Sequence, residues 1–152
     1  IKGGSQEDGL RPGTENEPGI AGFGKAIGLK QPVKKIERLR DYFIDEVLKI
    51  SGTSLNGSKE KRLCNNVSIS FQGVEGKSLL LHLNLKKIYV SVGAACDSKS
   101  QKASKVLKAL GLTDKEARET IRFSLSKYNT KKEMDYTIKH LKNIVKTLRA
   151  LK

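Results

Sequence analysis

The sequence has few cysteines and no long apolar run, and both absences narrow the classes of protein to which it can belong. Cys64 and Cys96 are its two cysteines, which are too few for a disulfide framework and do not lie at metal-ligand spacing from a histidine. No apolar stretch approaches the roughly 20 residues of a membrane-spanning helix, and no segment reads as a secretory signal. We therefore expect a cytoplasmic protein whose thiols stay reduced.

Acidic residues are also scarce relative to basic ones. The chain has 30 Lys and Arg against 16 Asp and Glu, a formal net charge of +14, and such an excess occurs in proteins that bind nucleic acids or acidic partners. The lysines are mostly single residues on predicted helix faces, such as Lys139, Lys142 and Lys146, and are not interleaved with aromatic residues. This pattern favours a solvated helix surface, and salt-dependent binding would reveal a nucleic-acid interface instead.

Hydrophobic periodicity predicts an α+β domain in which helices and strands alternate. The predicted helices cover residues 17–27, 33–50, 74–83, 103–110, a short segment after Thr113, and a long segment from Thr130 to the C-terminus. The predicted strands cover residues 67–71, 88–92 and 120–125. This order indicates a three-layer-like sandwich of a short sheet with flanking helices. Residues 1–16 are glycine-rich and aperiodic, so we expect a loop, and because the chain starts with Ile1 we expect a piece of a longer protein.

Cys96 is the first candidate for chemistry. It follows the predicted strand at 88–92 in a loop of small and polar residues, where a thiol would be accessible and mobile, as a nucleophile needs to be. The alternative is a half-buried structural cysteine, because free cysteine is among the residue types most often buried. Spacing alone does not decide between the two.

Arg122 and Thr14 are the other candidates. Strand alternation sends Arg122 to the face opposite Ile121 and Phe123, where a carboxylate held at two points is its best partner and a structural salt bridge is the alternative. Thr14 lies just ahead of a predicted helix N-terminus, in Arg-Pro-Gly-Thr. That position suits an anion such as a phosphate, with an ordinary capping turn as the alternative.

Several segments together closely resemble the C-terminal part of a group I cysteine desulfurase, a pyridoxal-phosphate enzyme with the fold-type I aminotransferase fold. They are residues 3–7 (Gly-Gly-Ser-Gln-Glu), 11–16 (Arg-Pro-Gly-Thr-Glu-Asn), 63–71, 73–79, 90–96 (Val-Ser-Val-Gly-Ala-Ala-Cys), 106–111 and 121–125 (Ile-Arg-Phe-Ser-Leu). The resemblance implies that residues 1–16 continue from a large cofactor-binding domain and that residues 17–152 form the small C-terminal domain.

The resemblance also implies the chemistry, which is removal of sulfur from L-cysteine to give alanine and a persulfide. Cys96 aligns with the thiol that attacks the substrate sulfur and carries it to a scaffold protein for iron–sulfur cluster assembly. Arg122 aligns with the arginine that binds the substrate carboxylate. Thr14 aligns with the residue that reaches the pyridoxal phosphate of the neighbouring subunit in a homodimer. The lysine that anchors this cofactor lies upstream in the family, so we expect the chain alone to be inactive.

The chain departs from the family pattern near the thiol. Ala94 stands where the family usually has Ser, Cys64 stands where it has Pro, and Asp97 places a carboxylate beside Cys96, which disfavours the thiolate. Two alternatives within the same fold therefore accompany the desulfurase interpretation. One is a selenocysteine lyase, and the other is a non-catalytic module for dimerisation or scaffold docking.

Overall fold

The structure, a computed structural model, describes residues 2–93 and 104–151. The chain divides into two compact units, Ile1–Gln31 and Pro32–Lys152. The predicted boundary between residues 16 and 17 concerns the complete protein and stays a prediction. Within the described ranges, no helix has both the length and the apolar composition needed to cross a membrane.

The first unit contains one helix that buries none of its residues. Helix α1 (Glu17–Ile27) begins where the sequence predicts, because the side chain of Asn16 accepts a hydrogen bond of 3.2 Å from the Gly19 amide. The predicted loop ahead of it contains a short 3₁₀ turn, Gln6–Gly9. Apolar side chains of α1 remain uncovered within this unit, and Phe23 and Ile27 are each 69% exposed.

The second unit is built on a four-stranded antiparallel sheet in the order β1-β2-β4-β3. The strands are β1 (Thr53–Leu55), β2 (Asn66–Phe71), β3 (Ser91–Val92) and β4 (Thr120–Ser124). The predicted alternation holds in β2 and β4: Val67, Ile69, Ile121 and Phe123 all lie on one face and are buried. We refer to this face as the core face and to the opposite one as the polar face.

Helices accompany this antiparallel sheet, which confirms the predicted α+β class. They are α2 (Val33–Val47), α3 (Gly76–Leu85), α4 (Lys105–Ala109), α5 (Asp114–Arg118) and α6 (Lys131–Ala150). The apolar sides of α2, α3 and α6 pack on the core face and form one hydrophobic core with it. The end of α5 lies at the polar face, where Thr120 of β4 donates a hydrogen bond of 2.7 Å from its Oγ1 to the Glu116 carbonyl.

Capping boxes start α5 and α6 as the sequence predicts. The Thr113 amide donates to the Glu116 carboxylate at 2.8 Å, and the Thr130 amide donates to the Glu133 carboxylate at the same distance. These backbone hydrogen bonds hold the pKa of each glutamate below its ordinary value. Each carboxylate therefore stabilises its helix above the ordinary glutamate pKa, and this contribution is lost as the pH falls through the lowered value.

The prediction of a strand over residues 88–92 is wrong for residues 88–90, because β3 comprises only Ser91 and Val92. Helix α3 ends in a Schellman motif, in which the Lys87 amide donates to the Asn84 carbonyl at 2.9 Å and the Ile88 amide donates to the Leu83 carbonyl at 3.0 Å. Lys87 takes a left-handed conformation, with φ of 59°. The Ile88 amide already donates to the end of the helix and cannot also pair with a strand. Pairing with β4 begins at Ser91. The helix predicted at 33–50 likewise stops earlier, at Val47.

Candidate functional site

The polar face of the sheet carries short hydroxyl and amide side chains with Arg122 among them. In the antiparallel register, Arg122 lies opposite Ser68 of β2 and opposite Ser91 of β3. Directly paired residues of neighbouring strands share a face, with Cβ atoms about 5 Å apart. Thr120 and Ser70 form the next pair along on this face. The side chain of Arg122 therefore leaves the sheet in the middle of a polar surface that spans three strands.

A buried hydrogen-bond network centred on Asn56 lies on the same face. Its amide nitrogen donates to Ser68 Oγ and to Thr120 Oγ1, each at 3.3 Å, and its amide oxygen accepts from Ser70 Oγ at 3.1 Å. Asn56, Ser70 and Thr120 are all buried. Buried polar groups that satisfy one another in this way restrict the rotamers of every member of the network. The network therefore holds the polar face in one arrangement beside Arg122.

Arg122 has a polar atom that the fold leaves unsatisfied. The side chain is half-buried, and its Nε is buried without a hydrogen-bond partner. Among residues 2–93 and 104–151, no Asp or Glu forms a salt bridge with Arg122. A buried donor without an acceptor costs about 1–3 kcal/mol, more for a charged group. A bound carboxylate would remove this cost, because it matches the planar fork of the guanidinium at two points.

Thr14 belongs to the first unit. Its carbonyl accepts a hydrogen bond of 2.9 Å from the Arg11 guanidinium, and the neighbouring Gly13 amide donates to Gln6 Oε1 at 3.2 Å. Gly13 has φ of +104°, a conformation that favours glycine. These contacts shape the loop and leave the exposed Thr14 hydroxyl without a hydrogen bond to the described residues. Its proposed contact with a phosphate stays a prediction.

Cys96 lies outside the described residues. The chain approaches it from β3, whose Ser91 lies opposite Arg122. The other thiol is in a different environment: Cys64 is free and half-buried, and it packs against the hydrophobic core. In the part of the chain that the structure describes, no group of three or more His, Cys, Asp or Glu could hold a metal ion.

The sequence does not indicate the role of Asn56 in this network. Asn56-Gly57 is a typical turn signal, and that interpretation accounts for the pair without any site. The alternation Val-Ser-Ile-Ser in β2 is the signal that could have indicated a polar face opposite the core. It could not have shown that Asn56 reaches this face, because Asn56 and Thr120 are 64 residues apart.

Comparison with known proteins places the chain within one family. Residues 4–137 match the family model described as aminotransferase class-V. A curated relative from Dictyoglomus turgidum, named cysteine desulfurase IscS, is 46% identical over 157 residues, which cover 99% of this chain and 40% of the relative. The chain thus spans about two-fifths of the length of the curated relatives it matches.

Solved structures extend the similarity to the fold. A structure described as a NifS-like protein superposes with a TM-score of 0.79 at 34% identity, over 97% of this chain and 38% of that chain. A second, described as SspA in complex with cysteine, superposes with a TM-score of 0.60 at 30% identity, over 86% of this chain and 36% of that chain. The structural similarity therefore covers most of this chain.

Proposed function

We propose that this chain, which belongs to the aminotransferase class-V family, forms the C-terminal part of a cysteine desulfurase. The identity of 46% to a relative of that name, over 99% of this chain, carries the proposal. The unsatisfied Nε of Arg122 supports it from the geometry, since a substrate carboxylate would supply the missing acceptor. The activity is that of a complete, cytoplasmic protein in which residues 1–16 continue from a large domain and residues 17–152 form the small one.

The reaction transfers one sulfur atom from L-cysteine to Cys96. Arg122 binds the substrate carboxylate, and the Cys96 thiolate attacks the substrate sulfur. The bond between that sulfur and the substrate Cβ breaks as the S–S bond of the persulfide forms. The electron pair of the broken bond stays on Cβ, which takes up a proton to become the methyl group of L-alanine. Cys96 then carries a persulfide, whose terminal sulfur passes to an iron–sulfur scaffold protein while the Cys96 thiolate is released.

Pyridoxal phosphate is the cofactor that this proposal requires. When bound, it supplies the electron sink that makes the bond between Cβ and sulfur breakable. Thr14 fits one part of the cofactor, because its exposed hydroxyl can donate to a phosphate oxygen. By resemblance this contact crosses to the neighbouring subunit of a homodimer. The anchoring lysine belongs to the upstream part of the family's sequence.

The complete protein should form a persulfide on Cys96 when it is given L-cysteine. We expect mass spectrometry of the Cys96 peptide to show a gain of one sulfur atom, and we expect one L-alanine for each sulfur transferred. A selenocysteine lyase would act on selenocysteine and leave L-cysteine unused. If neither amino acid yields alanine and Cys96 gains no sulfur, the protein is instead a non-catalytic dimerisation or docking module.

Cys96 should also react faster than Cys64 with an alkylating reagent under native conditions. Cys64 is half-buried against the core, which restricts the approach of a reagent, whereas the residues around Cys96 are small and polar. Peptide mapping after short exposures to iodoacetamide measures both rates in one sample. A Cys64→Ser variant provides the matched control, since the Cys96 rate should not change. Equal or reversed rates would remove the reason for assigning Cys96 as the nucleophile.

A further inference from the structure

Ser68 lies beside the proposed carboxylate site, and the proposed function gives it no role. It is the β2 residue directly opposite Arg122, so its side chain leaves the sheet on the same face as the guanidinium. Ser68 is half-buried, whereas Ser70, the next residue of β2 on this face, is buried. The Ser68 hydroxyl thus lies between the closed Asn56 network and the part of the face where Arg122 is accessible.

The hydrogen bond from Asn56 limits the directions in which the Ser68 hydroxyl can donate. A serine hydroxyl has one proton to donate and two lone pairs that can accept. One lone pair accepts from the Asn56 amide nitrogen at 3.3 Å. The other hydroxyls of the network also have acceptors: Thr120 donates to the Glu116 carbonyl, and Ser70 can donate to Asn56 Oδ1 or to Thr120 Oγ1. In the described ranges, the Ser68 hydroxyl donates to no group, so its proton is available on the side away from Asn56.

We propose that Ser68 is a second substrate-binding residue, whose hydroxyl donates a hydrogen bond to the carboxylate held by Arg122. The inference rests on the proposed desulfurase function. A carboxylate has about four lone-pair positions, of which a guanidinium fork uses two. Ser68 supplies a further donor beside that fork. Asn56 acts as a positioning residue, since its amide occupies the other side of the Ser68 oxygen.

Ser91 also lies opposite Arg122, from the β3 side. Its hydroxyl has no hydrogen bond to the described residues that would fix a direction of donation. Ser68 differs because the Asn56 amide orients it before any ligand binds. An oriented donor loses less conformational freedom on binding, so Ser68 is the residue at which substitution should weaken carboxylate recognition most clearly.

The test is a Ser68→Ala substitution in the complete enzyme. Loss of one hydrogen bond to a charged acceptor should raise the KM for L-cysteine about tenfold and leave kcat within about twofold. Ser68→Thr keeps the hydroxyl and should restore a KM near that of the parent. Ser54→Ala is the matched control, because Ser54 is an exposed serine of β1 that is paired with Ser70 and not with Arg122. It should leave both constants unchanged.

Two inhibitors separate carboxylate recognition from a general defect. 3-Mercaptopropionate keeps the thiol and carboxylate of the substrate, whereas cysteamine keeps the thiol and amine. Ser68→Ala should raise the inhibition constant of 3-mercaptopropionate about tenfold and leave that of cysteamine unchanged. A merely structural role for Ser68 would raise both constants together and overturn the inference.

The remaining outcomes distinguish this inference from the proposed function. If Ser68→Ala leaves the KM unchanged while Arg122→Lys raises it, the Ser68 assignment is wrong and the desulfurase function stands. If the parent enzyme does not use L-cysteine at all, the proposed function fails and the role of Ser68 fails with it. A Ser68→Thr variant as weak as Ser68→Ala would also overturn the inference, since the hydroxyl would then not be the group that matters.

Discussion

The 152-residue chain by itself should release no sulfide from L-cysteine, even with pyridoxal phosphate added. The family resemblance places the anchoring lysine in the upstream part of the complete protein, and the chain spans 40% of its curated relative. Without that lysine the cofactor cannot be held where it would withdraw electrons from the substrate. The loss relative to the complete enzyme should therefore be total within the sensitivity of the assay.

Absorbance and sulfide assays on the purified chain measure this directly. After incubation with pyridoxal phosphate and gel filtration, the chain should retain no absorbance from lysine-bound pyridoxal phosphate. The complete protein, treated in parallel, is the positive control for both assays. Turnover of L-cysteine by the chain alone would show that the catalytic apparatus is contained within these residues.

Replacing Arg122 with Lys in the complete enzyme should weaken the use of L-cysteine about tenfold to a hundredfold. The substitution keeps the charge and loses the planar fork that holds a carboxylate at two points. A charge-assisted hydrogen bond of this kind contributes about 1.5–3 kcal/mol, which sets the range expected for kcat/KM. Folding should change little, because Lys keeps the charge and the aliphatic stem, and because Nε of Arg122 makes no hydrogen bond to the described residues that the substitution would remove.

Arg149→Lys provides the matched control for this substitution. The Arg149 guanidinium donates to the carbonyls of Ser51, Gly52 and Gln72, so it joins the end of α6 to the segments before β1 and after β2. Its replacement should lower the melting temperature and leave kcat/KM unchanged, the reverse of the Arg122 result. An Arg122→Lys variant that unfolds while its folded fraction uses L-cysteine normally would show that Arg122 is structural.

The starts of α1, α5 and α6 are predictable from the sequence because the interactions that define them are local, whereas α3, predicted from residue 74, begins at Gly76 and has no side-chain cap. Thr130 and Glu133 are three residues apart, and their reciprocal hydrogen bonds form wherever the helix begins. Asn16 caps α1 through the Gly19 amide for the same reason. These signals are contained within one helical turn, so no knowledge of the remaining chain is needed to interpret them.

The ends of strands are less predictable from the sequence, because they depend on where a neighbouring strand pairs. Residues 88–90 continue the apolar pattern of β3, but the Schellman motif of α3 takes the Ile88 amide. Glycine usually marks such a helix end, and here Lys87 occupies the left-handed position, so the usual signal is missing. β1 was not predicted at all, since its three residues are too short to show periodicity and exist as a strand only by pairing with β2.

The side of β4 that Arg122 occupies follows from the sequence alone, because strand alternation places Arg122 opposite Ile121 and Phe123 whichever strands β4 pairs with. The resemblance added the carboxylate as its proposed ligand. The three-dimensional fold shows two further things about the described residues: Arg122 Nε is buried without an acceptor, and Ser68 lies directly opposite Arg122 in the β2–β4 register. The position of Ser68 depends on the register between β2 and β4, and its orientation depends on the amide of Asn56, which also reaches Thr120 across 64 residues. Contacts of this range form only when separate strands meet, so no local pattern encodes them.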